Sequence, residues 1–388
     1  MSHAKKYGLN ITIFLSMIIA ITPLAVDMYL PALGMIAQSM DSDITQLSQS
    51  LSIYLAGYAI GMLIFGPLCD KYGRLPLVTF GLLSFGLISL LLALSQTEAQ
   101  FFTLRFMQAF CGSAATVAVP GYIRHIYQQD TAKGMAHISL MMMLAPLIAP
   151  TLGSLVITIS SWHTIFYLLG AYAILLLCIA YKPLAQVQTD AAVIPTTTIQ
   201  KFKIVFNTAN VPLLLMCSLI TAFAFFCYIT SAAFIYLEVF NVSEQLFTLL
   251  FAANVMALML ANRINVYLLR KKEPLPILKA AAMVALISAL ALILVNLWSS
   301  SYLLTAICFF PLMGAIGMMS VNADALVLLQ FSHNTGTATA VMGSLKFSAG
   351  ALSGPLLALL YTGSAVPAAS IMFSCSLLVL LLCFKIKS

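Results

Sequence analysis

Of the charged side chains inside apolar runs of this chain, four could do chemistry: Asp27, Arg105, Asp324 and Lys346. A charged group at bilayer depth costs roughly 2.5–3.5 kcal/mol on insertion scales and marks a functional site by default. Asp27 lies near the end of the run Ile11–Leu33, in the string Val26-Asp27-Met28-Tyr29-Leu30-Pro31. A carboxylate there is suited to taking up and releasing a proton. Arg105 offers it an opposite charge, which lowers a carboxylate pKa, while desolvation raises it. That competition can make protonation respond to substrate and conformation; the alternative is a permanent structural ion pair. Lys346, within Gly343-Ser344-Leu345-Lys346-Phe347, needs a partner or water. It either faces a central cavity and favours carboxylate-bearing substrates, or pairs with Asp324 or snorkels outward.

The elements that position these groups follow from composition. Of 388 residues, 62% are hydrophobic and 7% charged, against about 25% charged in a soluble domain; the mean hydropathy is +1.04. The chain reads as an all-α integral membrane protein. Twelve runs approach the ~20 apolar residues of a span: about 10–32, 45–67, 76–95, 98–121, 135–158, 161–181, 210–232, 245–268, 276–297, 302–328, 337–358 and 365–385. They are too long and too uniformly apolar for barrel strands.

With these spans, Lys5, Lys6, Lys71, Arg74, Arg124, Lys133, Lys182, Lys201, Lys203, Arg263, Arg270, Lys271, Lys272, Lys279, Lys385 and Lys387 fall on one side. The opposite loops hold Asp41, Asp43, Glu98, Glu238 and Glu244. The positive-inside rule then makes both termini cytoplasmic. The net charge of +7 is topology rather than a nucleic-acid signal. Lys5 and Lys6 before an apolar stretch mimic a signal peptide, but the stretch is too long and runs into Pro23, Asp27 and Pro31, so it reads as an uncleaved first helix. On this topology Asp27 and Arg105 each lie about six or seven residues from the outer ends of their spans, at similar depth at ~1.5 Å per residue.

The polar stretch 183–207, with Pro183, Pro195, Lys201 and Lys203, divides the chain into an N-terminal six-helix bundle, 1–182, a cytoplasmic loop, 183–207, and a C-terminal bundle, 208–388. Two six-helix halves suggest parallel repeats around a midplane site. Between the second and third spans stands Gly66-Pro67-Leu68-Cys69-Asp70-Lys71-Tyr72-Gly73-Arg74. Its glycines permit a tight turn, and Asp70 can pair with Arg74 or accept from amides at a helix end. Such a cluster can latch two helices, or be an ordinary charged turn. Pro146, Pro150 and Gly153 in the fifth span bend it and let a neighbour approach. Gly57 with Gly61 and Gly350 with Gly354 are GxxxG pairs, read as packing seams. Tyr29, Tyr54, Tyr58 and Asn322 are candidates to line an adaptable cavity. The eight cysteines contain no CxxC pair and read as buried thiols, and the five histidines show no metal-ligand spacing.

GPLCDKYGR resembles the loop signature of the major facilitator superfamily. DMYLP resembles the first-helix motif of its twelve-helix drug/proton antiporters. Leu104-Arg105-Phe106-Met107-Gln108-Ala109-Phe110-Cys111-Gly112 resembles their fourth-helix motif, Ala145-Pro146-Leu147-Ile148-Ala149-Pro150-Thr151-Leu152-Gly153-Ser154 their fifth-helix antiporter motif, and Trp162-His163-Thr164-Ile165-Phe166 the start of their sixth helix. The set is most similar to the bicyclomycin/chloramphenicol resistance (Bcr/CflA) branch. It departs at Leu75, where a second basic residue is usual, at Ala149 and Ser154, where glycines are usual, and at Lys346, where a glutamine is more common. The resemblance implies a proton-coupled secondary transporter, a multi-pass monomer of a bacterial inner membrane. It would export small amphipathic compounds by alternating access, driven by the proton gradient without a cofactor. Asp27 and Arg105 would couple the proton, Gly66, Asp70, Lys71, Gly73 and Arg74 would form the switch loop, and the fifth-helix motif a pliable seam. The alternatives are a dedicated metabolite or siderophore transporter, in either direction, and a transport-inactive receptor. An enzyme is disfavoured, because HExxH, CxxC and GxxxxGK[ST] are absent from the sequence.

Overall fold

The computed structural model describes residues 3–128, 131–187, 211–299, 301–330 and 335–386. Most of the predicted inter-bundle loop lies outside them. The described chain is helical: α1 (His3–Asp27), α2 (Leu33–Ser39), α3 (Ile44–Tyr72), α4 (Arg74–Leu92), α5 (Glu98–Tyr127), α6 (Thr131–Ile159), α7 (Trp162–Ala185), α8 (Val211–Ala233), α9 (Glu244–Leu268), α10 (Pro274–Trp298), α11 (Tyr302–Leu329), α12 (Thr335–Ala351), α13 (Ser353–Leu360) and α14 (Val366–Lys385). Eleven helical stretches among the described residues are long and apolar enough to cross a membrane; within α6, Leu144–Ile159 is a shorter apolar stretch.

Two predicted spans prove to be broken helices, and proline chemistry explains both. The first, expected over 10–32, stops at Asp27. A turn at Met28 and Tyr29 and a 3-10 turn, Leu30–Ala32, connect it to α2. Pro31 has no N–H to donate to the carbonyl four residues back, which is that of Asp27, and its ring clashes there. The eleventh, expected over 337–358, breaks at Leu352 between α12 and α13, where Pro355 acts in the same way on the carbonyl four residues back, that of Ala351. In addition, α8 continues into a π-helical turn, Phe234–Val239.

The described helices group into two compact units. The first comprises 1–42 and 53–195, the second 43–52 and 196–388, so the first turns of α3 group with the second unit. In the first unit α1 packs against α5, α6 and α7, and α4 against α5 and α7. Gly57 and Gly61 are the seam between α3 and α5: a Cβ on Gly57 would lie 2.4 Å from the Phe106 carbonyl oxygen, and one on Gly61 would lie 2.6 Å from that of Phe110. In the second unit α8 is the hub, packed by α11, α12, α13 and α14, with α10 against α11 and α14.

Candidate functional site

The break after α1 places Asp27 at a helix end inside the first unit. Its side chain is buried at 2% exposure, and its Oδ1 has no hydrogen-bond partner among the described residues. The fifth-helix motif supplies the wall. Gly153 of α6 packs so closely on the broken segment that a Cβ there would stand 1.9 Å from the Met28 carbonyl oxygen. Glycine is required at this position because two backbones touch.

Arg105 is buried completely, and its charge is received by rings and an amide. Its guanidinium carbon lies 4.3 Å from the Tyr29 ring centroid and 4.5 Å from that of Tyr54. Such contacts contribute about 2 kcal/mol or more when desolvated. Its Nη1 donates to Gln108 Oε1 at 2.8 Å, Gln108 Nε2 donates to Ser89 Oγ at 2.8 Å, and Ser89 Oγ donates to the Phe85 carbonyl at 2.6 Å. Nε and Nη2 have no partner among the described residues. Among the described residues Arg105 makes no ion pair with Asp27. The two share a neighbourhood through Tyr29, two residues beyond Asp27, whose ring also packs on Phe101 and Phe166.

Burial also bears on the cavity candidates. Tyr29, Tyr54 and Asn322 are 0–1% exposed, and Tyr58, at 6%, shares a 2.8 Å hydrogen bond with Thr116 Oγ1. All four sit within packing, the first two because they wall in the guanidinium. Gln108 and Ser89 were given no role from sequence. The usable signal for Gln108 was its position three residues beyond Arg105, on the same helix face.

At the loop between α3 and α4, Gly73 adopts φ 87°, a conformation that glycine accepts without a Cβ penalty. Arg74 opens α4 with its guanidinium carbon 5.9 Å from the Tyr122 ring centroid, over Gly121 of α5, where a Cβ would meet Nε at 2.5 Å. Among the described residues its buried Nη1 has no partner. Lys71 is exposed, with its ammonium 5.1 Å over the Tyr72 ring. Gly66 has nothing within 4 Å of a Cβ position. The side chain of Asp70 lies outside the described residues.

In the second unit Lys346 of α12 is paired with Asp324 of α11. Lys346 Nζ also donates to Ser320 Oγ at 3.3 Å, and Ser218 Oγ of α8 donates to Asp324 Oδ1 at 2.6 Å. Asn322, two residues from Asp324, points elsewhere: its Nδ2 donates to Asn265 Oδ1 of α9 at 2.7 Å. Two residues along a helix turn the side chain by about 200°, which separates the two candidates. Among the described residues no group of three or more His, Cys, Asp and Glu could hold a metal.

This architecture, two helical units with charged groups held inside apolar helices, defines a membrane transporter of the Major Facilitator Superfamily. A model of that family matches residues 15–384, and the chain belongs to it. Among named relatives, it is 28% identical to a bicyclomycin resistance protein homolog of Haemophilus influenzae, over 91% of this chain and 90% of that one. It is 28% identical to a chloramphenicol resistance protein of Pseudomonas aeruginosa over 87% and 81%. The multidrug resistance protein MdtL of Shewanella oneidensis is 33% identical over 44% and 43%. The fold is also that of a crystallised D-xylose-proton symporter, with a TM-score of 0.79 at 13% identity over 97% of each chain.

Proposed function

We propose that the protein is a proton-coupled antiporter that exports small amphipathic compounds across a bacterial inner membrane, with both termini cytoplasmic. The observation that carries this reading is Asp27: a buried carboxyl, unpartnered at Oδ1, at the end of a broken membrane helix. Resistance proteins among its relatives support the substrate class. Substrate enters from the cytoplasm or inner leaflet, the two halves rock by alternating access, and substrate leaves outward. A proton then binds Asp27, and the protonated form returns. Arg105 contributes its positive charge to the same unit without an ion pair to this carboxyl among the described residues, so Asp27 is left to exchange its proton with solvent in the outward state. The unit working in the membrane is a monomer that needs the proton gradient and no cofactor.

Energised inside-out vesicles test the assignment with chloramphenicol and ethidium as probes. Wild type is expected to accumulate a probe and to release protons from the vesicle lumen on its addition. Asp27→Asn, expressed to the same level, is expected to lose at least tenfold of the gradient-driven rate. Full gradient-driven transport by Asp27→Asn would refute the role of this carboxyl.

A further inference from the structure

A second charged constellation, on α11, α12 and α8, has no part in that proton cycle. Lys346 and Asp324 lie in apolar spans, yet their side chains remain 18% and 31% exposed. By contrast, Arg105 is completely buried. Charged groups exposed at such depth belong against water-filled space rather than hydrocarbon.

The bonding of the pair is asymmetric. Asp324 is held in place from its own side: Oδ1 accepts from Ser218 while Oδ2 faces Lys346. The ammonium has three protons to donate. Among the described residues it has two partners, Asp324 and Ser320, which leaves one donor direction open. A lysine ammonium is a compact point charge that exchanges one carboxylate for another without the fork geometry an arginine imposes.

An aromatic pair adjoins the lysine along the chain. Phe347 follows Lys346 on α12, and its ring centroid lies 5.8 Å from that of Phe226 on α8. Both rings are partly exposed. An open ammonium donor on the same helix as a partly exposed aromatic pair matches a ligand with one carboxylate on a flat apolar body.

We propose that Lys346 is the anchor for the carboxylate of aromatic monocarboxylate substrates, and that Asp324 is its resident stand-in. Ser218 holds Asp324 in readiness when the site is empty. A substrate carboxylate takes the place of Asp324 Oδ2 at the ammonium, while Asp324 keeps its bond from Ser218. Neutral compounds leave the pair closed. Asp324 therefore sets selectivity by competing with the substrate for one cation. The inference deepens the exporter reading and rests on it, but is tested by binding rather than by transport.

The test is equilibrium binding of nalidixate, an aromatic monocarboxylate, to purified full-length protein. Asp324→Asn removes the internal competitor and is expected to bind at least tenfold more tightly than wild type. Lys346→Gln is expected to bind at least tenfold more weakly. Because Lys346→Gln strands a carboxylate and could fail to fold, the neutral pair Asp324→Asn/Lys346→Gln serves as a second variant; it is expected to fold and still lose nalidixate. The charge exchange Asp324→Lys/Lys346→Asp rebuilds an ion pair on the wrong helices. A merely structural pair would allow that variant to bind as wild type does, and this outcome overturns the proposal. So would a gain below threefold in Asp324→Asn, absence of nalidixate binding by that variant, or wild-type binding by either Lys346→Gln variant. Gradient-driven efflux of chloramphenicol is read in parallel. Intact efflux with failed nalidixate predictions sinks the Lys346 proposal alone, whereas absent efflux with these binding shifts sinks the exporter reading alone.

Discussion

Replacing Gly153 by alanine tests the link between the fifth-helix motif and Asp27. The added methyl carbon would start 1.9 Å from the Met28 carbonyl oxygen, whereas a tolerated contact begins at about 3.0–3.4 Å. The α6 backbone and the turn after α1 must therefore separate by a little over 1 Å. The obstacle is a backbone carbonyl, so no rotamer change relieves it. Overpacking of this kind costs about 1–3 kcal/mol. Alanine returns up to ~1 kcal/mol of helix propensity, which leaves a net loss centred on about 1 kcal/mol and reaching about 2 kcal/mol. The larger effect falls on function, because the displaced carbonyl belongs to the residue next to Asp27. Misplacements of about 1 Å can cost on the order of 100-fold where proton transfer depends on geometry. The expected result is a lower Tm for the purified protein and at least a tenfold loss of gradient-driven efflux. Gly66→Ala is the control for helix propensity, since nothing lies within 4 Å of its Cβ position, and its Tm should equal or exceed that of wild type. If Gly153→Ala kept both the Tm and the efflux rate of wild type, close contact between α6 and the broken segment would not matter to the cycle, and the reasoning would fail.

Pro31→Ala restores an N–H that can bond the Asp27 carbonyl and removes a helix breaker worth about 3 kcal/mol against alanine. Efflux should fall at least tenfold while the Tm holds or rises, because a continued helix no longer ends at the carboxyl; a Tm loss with normal efflux would contradict this. Gln108→Leu leaves Arg105 Nη1 without its acceptor beside the unpartnered Nε and Nη2. A lost bond to a charged donor costs about 1.5–3 kcal/mol, so thermal unfolding in detergent should show a clear drop in Tm. An unchanged midpoint would mean that the tyrosine rings alone hold the guanidinium.

Much of this protein was legible before any coordinates. Hydropathy marked the membrane helices because the bilayer demands about 20 apolar residues for each crossing. Asp27 and Arg105 stood out because charge in such runs is costly. The motif strings identified the superfamily to which the chain belongs. Pairing with Asp324 is one of three arrangements the sequence allows Lys346, beside facing a cavity and snorkelling outward, and the structure contains it. The GxxxG spacing of Gly57 and Gly61 marks the seam where α3 meets the α5 backbone.

What the sequence left open were the questions of partner and direction. A periodic apolar run carries no information about which of several neighbours a polar side chain will reach. Depth along two helices brought Asp27 and Arg105 together on paper. The packed structure turns the guanidinium to Tyr29, Tyr54 and Gln108 instead, because rings from the turn after α1 and from α3, with an amide carbonyl one turn along α5, fill the space around it. Likewise, Pro31 announced a bend, but only the packing of α6 onto Met28 shows why Gly153 must be glycine. The linear chain thus determined the membrane class, the helices and the residues that bear charge, since those follow from local composition and solvent. Tertiary structure alone decided which groups those charges meet, since contact between helices depends on where backbones can touch.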